Sequence, residues 1–482
     1  MLSTVMNDSK KVIIKHIIGT LIFLLLLSLG AAGIYNVFKW KDTSGDYFSS
    51  MEQMYDLPDN SVDVVFFGPS VMYSGINPAI FWEEKGIPCF NAAIAGQDRE
   101  AAYYFIKEFV KRQSPKVVVL AGMLFQIDHY EVQGNVYRNT ISMRNSKNFV
   151  DAVNAIVPDN DKTESNTVWD YYLRWPIIHS RYKEIQKGDF KEVKEYSKSL
   201  GFVYLDESYG WEANPVYFDG ETSNPISPEN KEWVDRLVKL SKEEGFELLF
   251  VQLPGFLGDS QRYDMNGNFR YLDKIGVKYV DLNLHAEEMG FDYIYDMNDG
   301  HHARVSGAEK NSKFLCDFMS ENFNLSDRRG EAGYELFEEA LEVCRHERLS
   351  RKFAECDDLA QIFELIGDGD NIIYSVTLKN GYRGIDDMNA GIIREYMPVR
   401  DLGYSGGTSV FRNGLMTEVL SDKTLAFKLN DSDYFSVKPV VTEDGHLDLV
   451  DYGSERFQGE EGNFLVIYDT VLDRVVLVRD IM

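Results

Sequence analysis

The sequence predicts an α/β domain: a three-layer, doubly wound parallel sheet behind an N-terminal transmembrane helix, followed by a β-rich, sandwich-like α+β module. Three observations carry this prediction. One long uncharged apolar run lies near the N-terminus, and short β-branched runs then alternate with amphipathic helical stretches. Past about residue 330, a helical stretch gives way to a series of short strands.

The first element is the apolar run. Between Lys15 and Lys39 the chain carries no Asp, Glu, Lys or Arg. At about 1.5 Å rise per residue, such a stretch crosses a hydrocarbon core of about 30 Å. Lys10, Lys11 and Lys15 precede it, whereas Lys39 and Lys41 soon give way to Asp42, Asp46 and Glu52. The positive-inside preference therefore puts residues 1–15 in the cytoplasm, 16–38 across the cell membrane, 39–57 in a linker and the rest outside. A cleaved signal peptide is the competing reading, with Gly30, Ala31 and Ala32 as small residues; the run is longer than a signal core.

The alternating part comes next, over 58–323. Strand-like runs fall at 62–67, 87–94, 116–122, 247–254 and 277–282. Helical stretches run from Arg99 to about Arg112, with Ala102, Phe105, Ile106, Phe109 and Val110 on one stripe, then from Pro228 to Glu244 and from Ser306 to Asn322. Strands alternating with helices imply a mainly parallel sheet. Residues 130–225 break the rhythm and read as an insertion. The polar stretch N-L-S-D-R-R-G-E-A-G (324–333) suits a domain boundary. The module at 333–482 has strand-like runs at 371–378, 463–469 and 474–480.

The formal charge of -27 and the absence of a basic stripe argue against a nucleic-acid partner. The four cysteines, Cys89, Cys316, Cys344 and Cys356, form no C-x-x-C pair. A Cys344–Cys356 bridge and buried free thiols both remain open.

Two stretches carry chemistry. In V-D-V-V-F-F-G-P-S (62–70) a buried-looking strand runs into Gly68 and Pro69, which break it. Ser70 then stands where open α/β sheets keep their ligand crevice; the plainer reading is that Ser70 caps the next helix. In D-M-N-D-G-H-H-A-R (296–304), Asp299 and His302 stand three apart in a Gly-containing loop. A serine hydroxyl needs a neutral imidazole to take its proton, and the imidazole needs a carboxylate to fix its tautomer. One loop with D-x-x-H spacing presents both, and His301 is a neighbour able to tune it. Two histidines and one Asp fall short of a zinc set, so no metal or cofactor is implied.

Together these stretches resemble the SGNH (GDSL-like) hydrolases, and most closely their membrane-anchored bacterial members that handle cell-surface polymers. The first block is G-P-S with Ser70, the second N-A-A-I-A-G-Q (91–97) with Gly96, and the last Asp299 and His302 in D-x-x-H before H-A-R-V-S-G-A (302–308). The resemblance implies Ser70 as nucleophile, His302 as base and Asp299 as its orienter. It implies an oxyanion hole from the Ser70 and Gly96 backbone, with Asn91 or Gln97 as further candidates. The family's third block normally supplies an Asn; here A-G-M-L-F-Q-I-D (121–128) has none. W-P-I-I-H-S-R-Y-K-E-I (175–185) is similar to a Tyr-His-Ser-Arg-Trp segment of those proteins, making His179 and Arg181 candidate substrate contacts. A structural ion pair or helix cap is the alternative for Arg181. Trp175 and Trp211 are either sugar platforms or core.

In the C-terminal module, residues 357–380, L-G-Y (402–404) and 462–480 resemble the interleukin-like EMT inducer domain, a lectin-like sandwich, although the last strand pair comes earlier in the animal proteins. The implied activity is an esterase or O-acyltransferase on acylated cell-surface or extracellular polysaccharide. A transferase would take its acyl groups from a membrane donor protein. A glycan-binding or assembly protein with a degraded site is the alternative.

Overall fold

The computed structural model describes residues 2–39, 49–126, 136, 139–140, 142–160, 167–185, 187–190, 198–206, 222–367, 371–396, 407–412, 415–419, 425–428, 434–441, 447–452, 455–458 and 462–482. The chain divides into two units, Met1–Glu338 and Glu339–Met482.

The first unit opens with α1 (Leu2–Phe38). The most apolar window of its segment Ile13–Phe38 has a mean hydropathy of 2.5, and none of that window is buried in protein. This one helix is long and apolar enough to span a membrane. After α2 (Ser49–Asp56) comes a sheet of five parallel strands. These are β1 (Val64–Phe67), β2 (Cys89–Asn91), β3 (Val117–Ala121), β4 (Glu247–Gln252) and β5 (Lys278–Asp281). Their order is β2-β1-β3-β4-β5, with Phe66 beside Asn91 on one side and Val119 on the other. β1 and β3 are buried along their whole length, as expected of strands covered by helices on both faces.

The connecting helices are α3 (Ser70–Gly75), α4 (Pro78–Lys85), α5 (Arg99–Phe109), α6 (Lys147–Asn160), α7 (Val168–Leu173), α8 (Trp175–Ile178), α9 (Pro228–Glu244), α10 (Asp259–Ile275) and α11 (Val305–Asn322). Their limits follow from local chemistry. The side chains of Asn77, Asp98 and Ser227 accept N–H groups at the starts of α4, α5 and α9, and Gly86 and Gly245 end α4 and α9 at positive φ. The second strand is shorter than the run at 87–94, because past Asn91 the chain leaves the edge as a loop. Its N–H groups at Ala92 and Ile94 still donate to Phe66 and Gly68 of the β1 side.

The order reverses at β1, which has β2 on one side and β3 on the other. In such sheets the crevice opens at the carboxyl ends of the strands flanking the reversal. Ser70 follows β1 directly.

The second unit takes most of α12 (Glu335–Glu355), then α13 (Leu359–Gly367), β6 (Ile372–Leu378) and α14 (Asp387–Tyr396). The strands β7 (Gly407–Arg412), β8 (Leu415–Val419), β9 (Leu425–Lys428), β10 (Tyr434–Val441), β11 (Leu447–Tyr452), β12 (Glu455–Gln458), β13 (Asn463–Asp469) and β14 (Arg474–Asp480) complete it. They form two antiparallel sheets, β14-β13-β6-β7-β8 and β12-β11-β10-β9. Ile362, Phe363, Val376, Leu465 and Ile467 share its core. All four cysteines are free thiols, and Cys89, Cys316 and Cys344 are buried; the structure holds no Cys344–Cys356 bridge.

Candidate active site

Ser70 reaches the crevice through a corner that only glycine fits. A Cβ at Gly68 would stand 2.6 Å from the Cβ of Ala121, so the chain can pass β3 this closely only without a side chain. Pro69 then takes the N-cap position of α3 with no side-chain hydrogen bond, and Ser70 is the first residue of the helix. Its hydroxyl is not a cap. Ser70 Oγ instead lies 2.7 Å from Nε2 of His302.

His302 sits in a tight loop closed by two backbone hydrogen bonds, Asn298 N–H to His302 C=O at 2.8 Å and Arg304 N–H to Asp296 C=O at 2.8 Å. Within it, the Asp299 carboxylate accepts the N–H groups of His301 (2.8 Å) and His302 (2.9 Å) on one oxygen. The other oxygen lies 2.7 Å from His302 Nδ1. Burial works against the Asp299 charge, but these two backbone donors and the imidazole outweigh it and hold the carboxyl below its ordinary value. An ionised Asp299 accepts from Nδ1–H, which leaves Nε2 to accept the Ser70 hydroxyl proton. His301 is exposed; desolvation lowers its pKa, and its ring is not a link in the Ser70–His302–Asp299 chain.

The loop is braced from beneath. Phe256 N–H donates to Gly300 C=O at 2.8 Å, and Asn283 Oδ1 accepts Gly255 N–H at 3.2 Å. Asn283 in turn donates to Asp281 at 2.8 Å, and Tyr293 donates its hydroxyl to Asn283 at 3.2 Å. Desolvation pushes Asp281 up to about 6, against the hydrogen bonds from Asn283. Helix α11, just after His302, also holds the Ser70 side. Ser312 Oγ accepts Asn77 N–H at 2.8 Å, and Asn311 donates to Gly75 C=O at 3.3 Å.

Gly96 stands next to this corner. Ile94 N–H donates to Gly68 C=O (3.1 Å), and Ile94 C=O accepts Gln97 N–H (3.0 Å), closing a turn with Gly96 in its third position. Its φ of 69° is what that position of a type II turn requires, hence the glycine. Asn91 is not a free donor. Its amide donates to Met72 C=O (2.9 Å) and Ile76 C=O (3.0 Å) while Oδ1 accepts Ala93 N–H (3.2 Å), so it fastens α3 to the loop. The expectation of Asn91 as an oxyanion donor is corrected by this spent amide. Gln97 is buried, its amide directed to Ala92 C=O at 3.4 Å. At the exit of β3, Gly122 lies against Gln252 of β4, where a Cβ would meet Oε1 at 2.8 Å.

Two features went unread in the sequence. Asn139, buried in the insertion, donates to Gly96 C=O at 2.7 Å. The segment 198–206 straps the site: Leu200 C=O accepts Asn91 N–H (2.9 Å), Val203 N–H donates to Tyr73 C=O (3.0 Å), and Val305 N–H donates to Leu205 C=O (3.0 Å). It thereby ties the Ser70 helix to the helix after His302. Nothing local in N-T-I-S-M (139–143) signals the first contact; the closeness of Gly201 to Asn91, which leaves no room for a Cβ, is the only sequence trace of the second.

The other candidates lie elsewhere. His179 is exposed and its Nδ1 faces Pro176 C=O. Arg181 is buried, donating to the carbonyls of Phe38 (2.8 Å) and Lys39 (2.6 Å) and pairing with Asp189 at 2.9 Å. It is therefore a helix cap and ion pair, not an open substrate contact. Trp175 packs its ring on Phe38, 5.0 Å between centroids, and Trp211 lies outside the described residues. Among the described residues, no three His, Cys, Asp or Glu side chains converge as metal donors.

No family model matches the chain, and no curated protein matches it. Among solved structures, a Bacteroides fragilis protein provisionally named an acylhydrolase aligns over 59% of this chain and 99% of its own. Identity is 13% and the TM-score is 0.27.

Proposed function

We propose that this chain is a membrane-anchored serine esterase or O-acyltransferase of the SGNH type, acting outside the cell on acyl esters of polysaccharide. The observation that carries the reading is the unbroken chain Ser70 Oγ–His302–Asp299, with both links at 2.7 Å, at the reversal point of the sheet. Ser70 Oγ adds to the ester carbonyl carbon while its proton passes to His302 Nε2. Asp299 holds the resulting imidazolium. The tetrahedral oxyanion accepts the Ser70 and Gly96 N–H groups, with Asn139 fixing the Gly96 turn from behind. Collapse breaks the bond to the sugar oxygen, which takes the proton from Nε2 and leaves acyl-Ser70. Water or a sugar hydroxyl then repeats the sequence in reverse. The C-terminal sheets are proposed to contact the glycan.

The test is turnover of a small acyl ester and release of acetate from an acetylated polysaccharide by the full chain, beside Ser70→Ala. Turnover lost in the variant supports the reading; a folded wild-type chain with no Ser70-dependent turnover opposes it. A second reading draws on Ala121 and Gly122 at the exit of β3, where the third-block Asn is missing: a glycan-binding protein that keeps the fold. It expects no Ser70-dependent turnover and undiminished glycan binding in Ser70→Ala.

A further inference from the structure

The segment that caps the membrane helix also carries a concentration of exposed apolar side chains. Arg181 donates to the carbonyls of Phe38, the last residue of α1, and of Lys39 just past it, and pairs with Asp189; α1 ends with Tyr35 and Phe38 packed on Ile177, Ile178 and Trp175. A buried guanidinium on the carbonyl end of a helix satisfies acceptors and favours the helix dipole there. The end of α1 is thus gripped by residues 174–190. On the same short stretch, Trp169, Leu173, Tyr182 and Phe190 are 67%, 65%, 61% and 71% exposed, and Trp175 is 42% exposed. Outside α1, the other exposed large apolar side chains of the described residues are spread more thinly along the chain, with Ile294 and Tyr295 the one adjacent pair, which is ordinary for a protein surface.

Exposed apolar patches mark interaction surfaces, and what covers this one is set by its position. Phe38 is the last residue of the span, so the residues gripping it lie at the level where the span leaves the hydrocarbon. Trp and Tyr favour that level because their rings are apolar with a polar edge. Charge agrees: residues 168–190 hold Arg174, Arg181, Lys183 and Lys187 against Asp170, Glu184 and Asp189, in a chain of net charge -27. We propose that residues 168–190 form a collar that embeds in the headgroup layer of the bilayer around the exit of α1, with Trp169, Leu173, Tyr182 and Phe190 as its lipid contacts. The first unit is then held to the membrane surface at two places, the span and the collar, and does not swing on a free tether. This inference is independent of the catalytic reading.

The test uses the full chain in lipid nanodiscs, with Cys356→Ser and an environment-sensitive dye on Trp169→Cys or Phe190→Cys, and on Lys239→Cys as an exposed reference. The expected result is blue-shifted emission at 169 and 190, and loss of that emission on adding lipids with a quencher near the headgroup, with neither change at 239. Emission at 169 and 190 as water-exposed as at 239, with α1 inserted, overturns the proposal. A second measurement needs no cysteine: quenching by brominated lipid is expected to fall in Trp169→Phe relative to the unsubstituted chain, and equal quenching in the two counts against the collar.

Discussion

Ser70 opens α3 without capping it, and its hydroxyl faces an imidazole whose other nitrogen is held by a carboxylate. Removing either end of that relay leaves the attack uncatalysed. Ser70→Ala and His302→Ala are expected to lower kcat by about 10⁴-fold or more, and Asp299→Asn by about 10⁴-fold because the amide no longer selects the tautomer. Steady-state rates on a small acyl ester check all three; an Asp299→Asn enzyme with full activity would contradict the assigned roles. Asn139 acts one step back, through the Gly96 carbonyl. Asn139→Ala is expected to lower kcat by roughly 10- to 100-fold, less than loss of a whole oxyanion donor, while KM holds. A purely structural role would lower thermal stability and leave kcat per folded molecule unchanged. Ser70, Asp299 and His302 were legible in the sequence because strand, corner and D-x-x-H loop are each local patterns. Asn139 was not, since its contact joins positions 43 residues apart through the fold of an insertion. Arg181 was legible only as a choice, which the carbonyls of Phe38 and Lys39 decide.

At the scale of elements, two places set the crevice. Gly68 lets β1 pass β3, and Gly68→Ala would push against Ala121 and cost about 1–3 kcal/mol, measurable by denaturant unfolding of the full chain. Asp281 underlies the loop that braces Gly300. Its carboxyl is raised from 3.8 to about 6 by burial, so protonation favours the folded state. The stabilisation is complete below the ordinary carboxyl range and is lost as pH rises through about 6. Asp281→Asn keeps an oxygen for Asn283 and removes the charge. It is expected to stabilise the first unit at pH 7 by an amount on the order of 3 kcal/mol, and to give no gain at pH 4. Melting at the two pH values reads this directly, and a gain equal at both would refute the burial argument. The positions of the five parallel strands and the limits of α9 and α11 followed closely from apolar runs. The shortening of β2 did not, because it depends on where Ala92 and Ile94 find acceptors across the sheet.

For the whole molecule, the hydropathy of α1, the parallel sheet and strands β6, β13 and β14 each trace to sequence patterns on the scale of one element. What ties α1 to the rest of the first unit does not, since Arg181 meets Phe38 across 143 residues. Arg181→Ala is expected to leave the sheet intact and to raise hydrogen exchange in the last turn of α1, where its carbonyls lose their donor; unchanged exchange would contradict the cap. The central claim is that Ser70 is an activated nucleophile. It is tested most directly by treating the full-length chain with a serine-directed fluorophosphonate and locating the adduct by mass spectrometry beside His302→Ala. The expected result is an adduct on Ser70 that is lost in His302→Ala. A folded wild-type chain that stays unlabelled, or labelling that survives without His302, would contradict it.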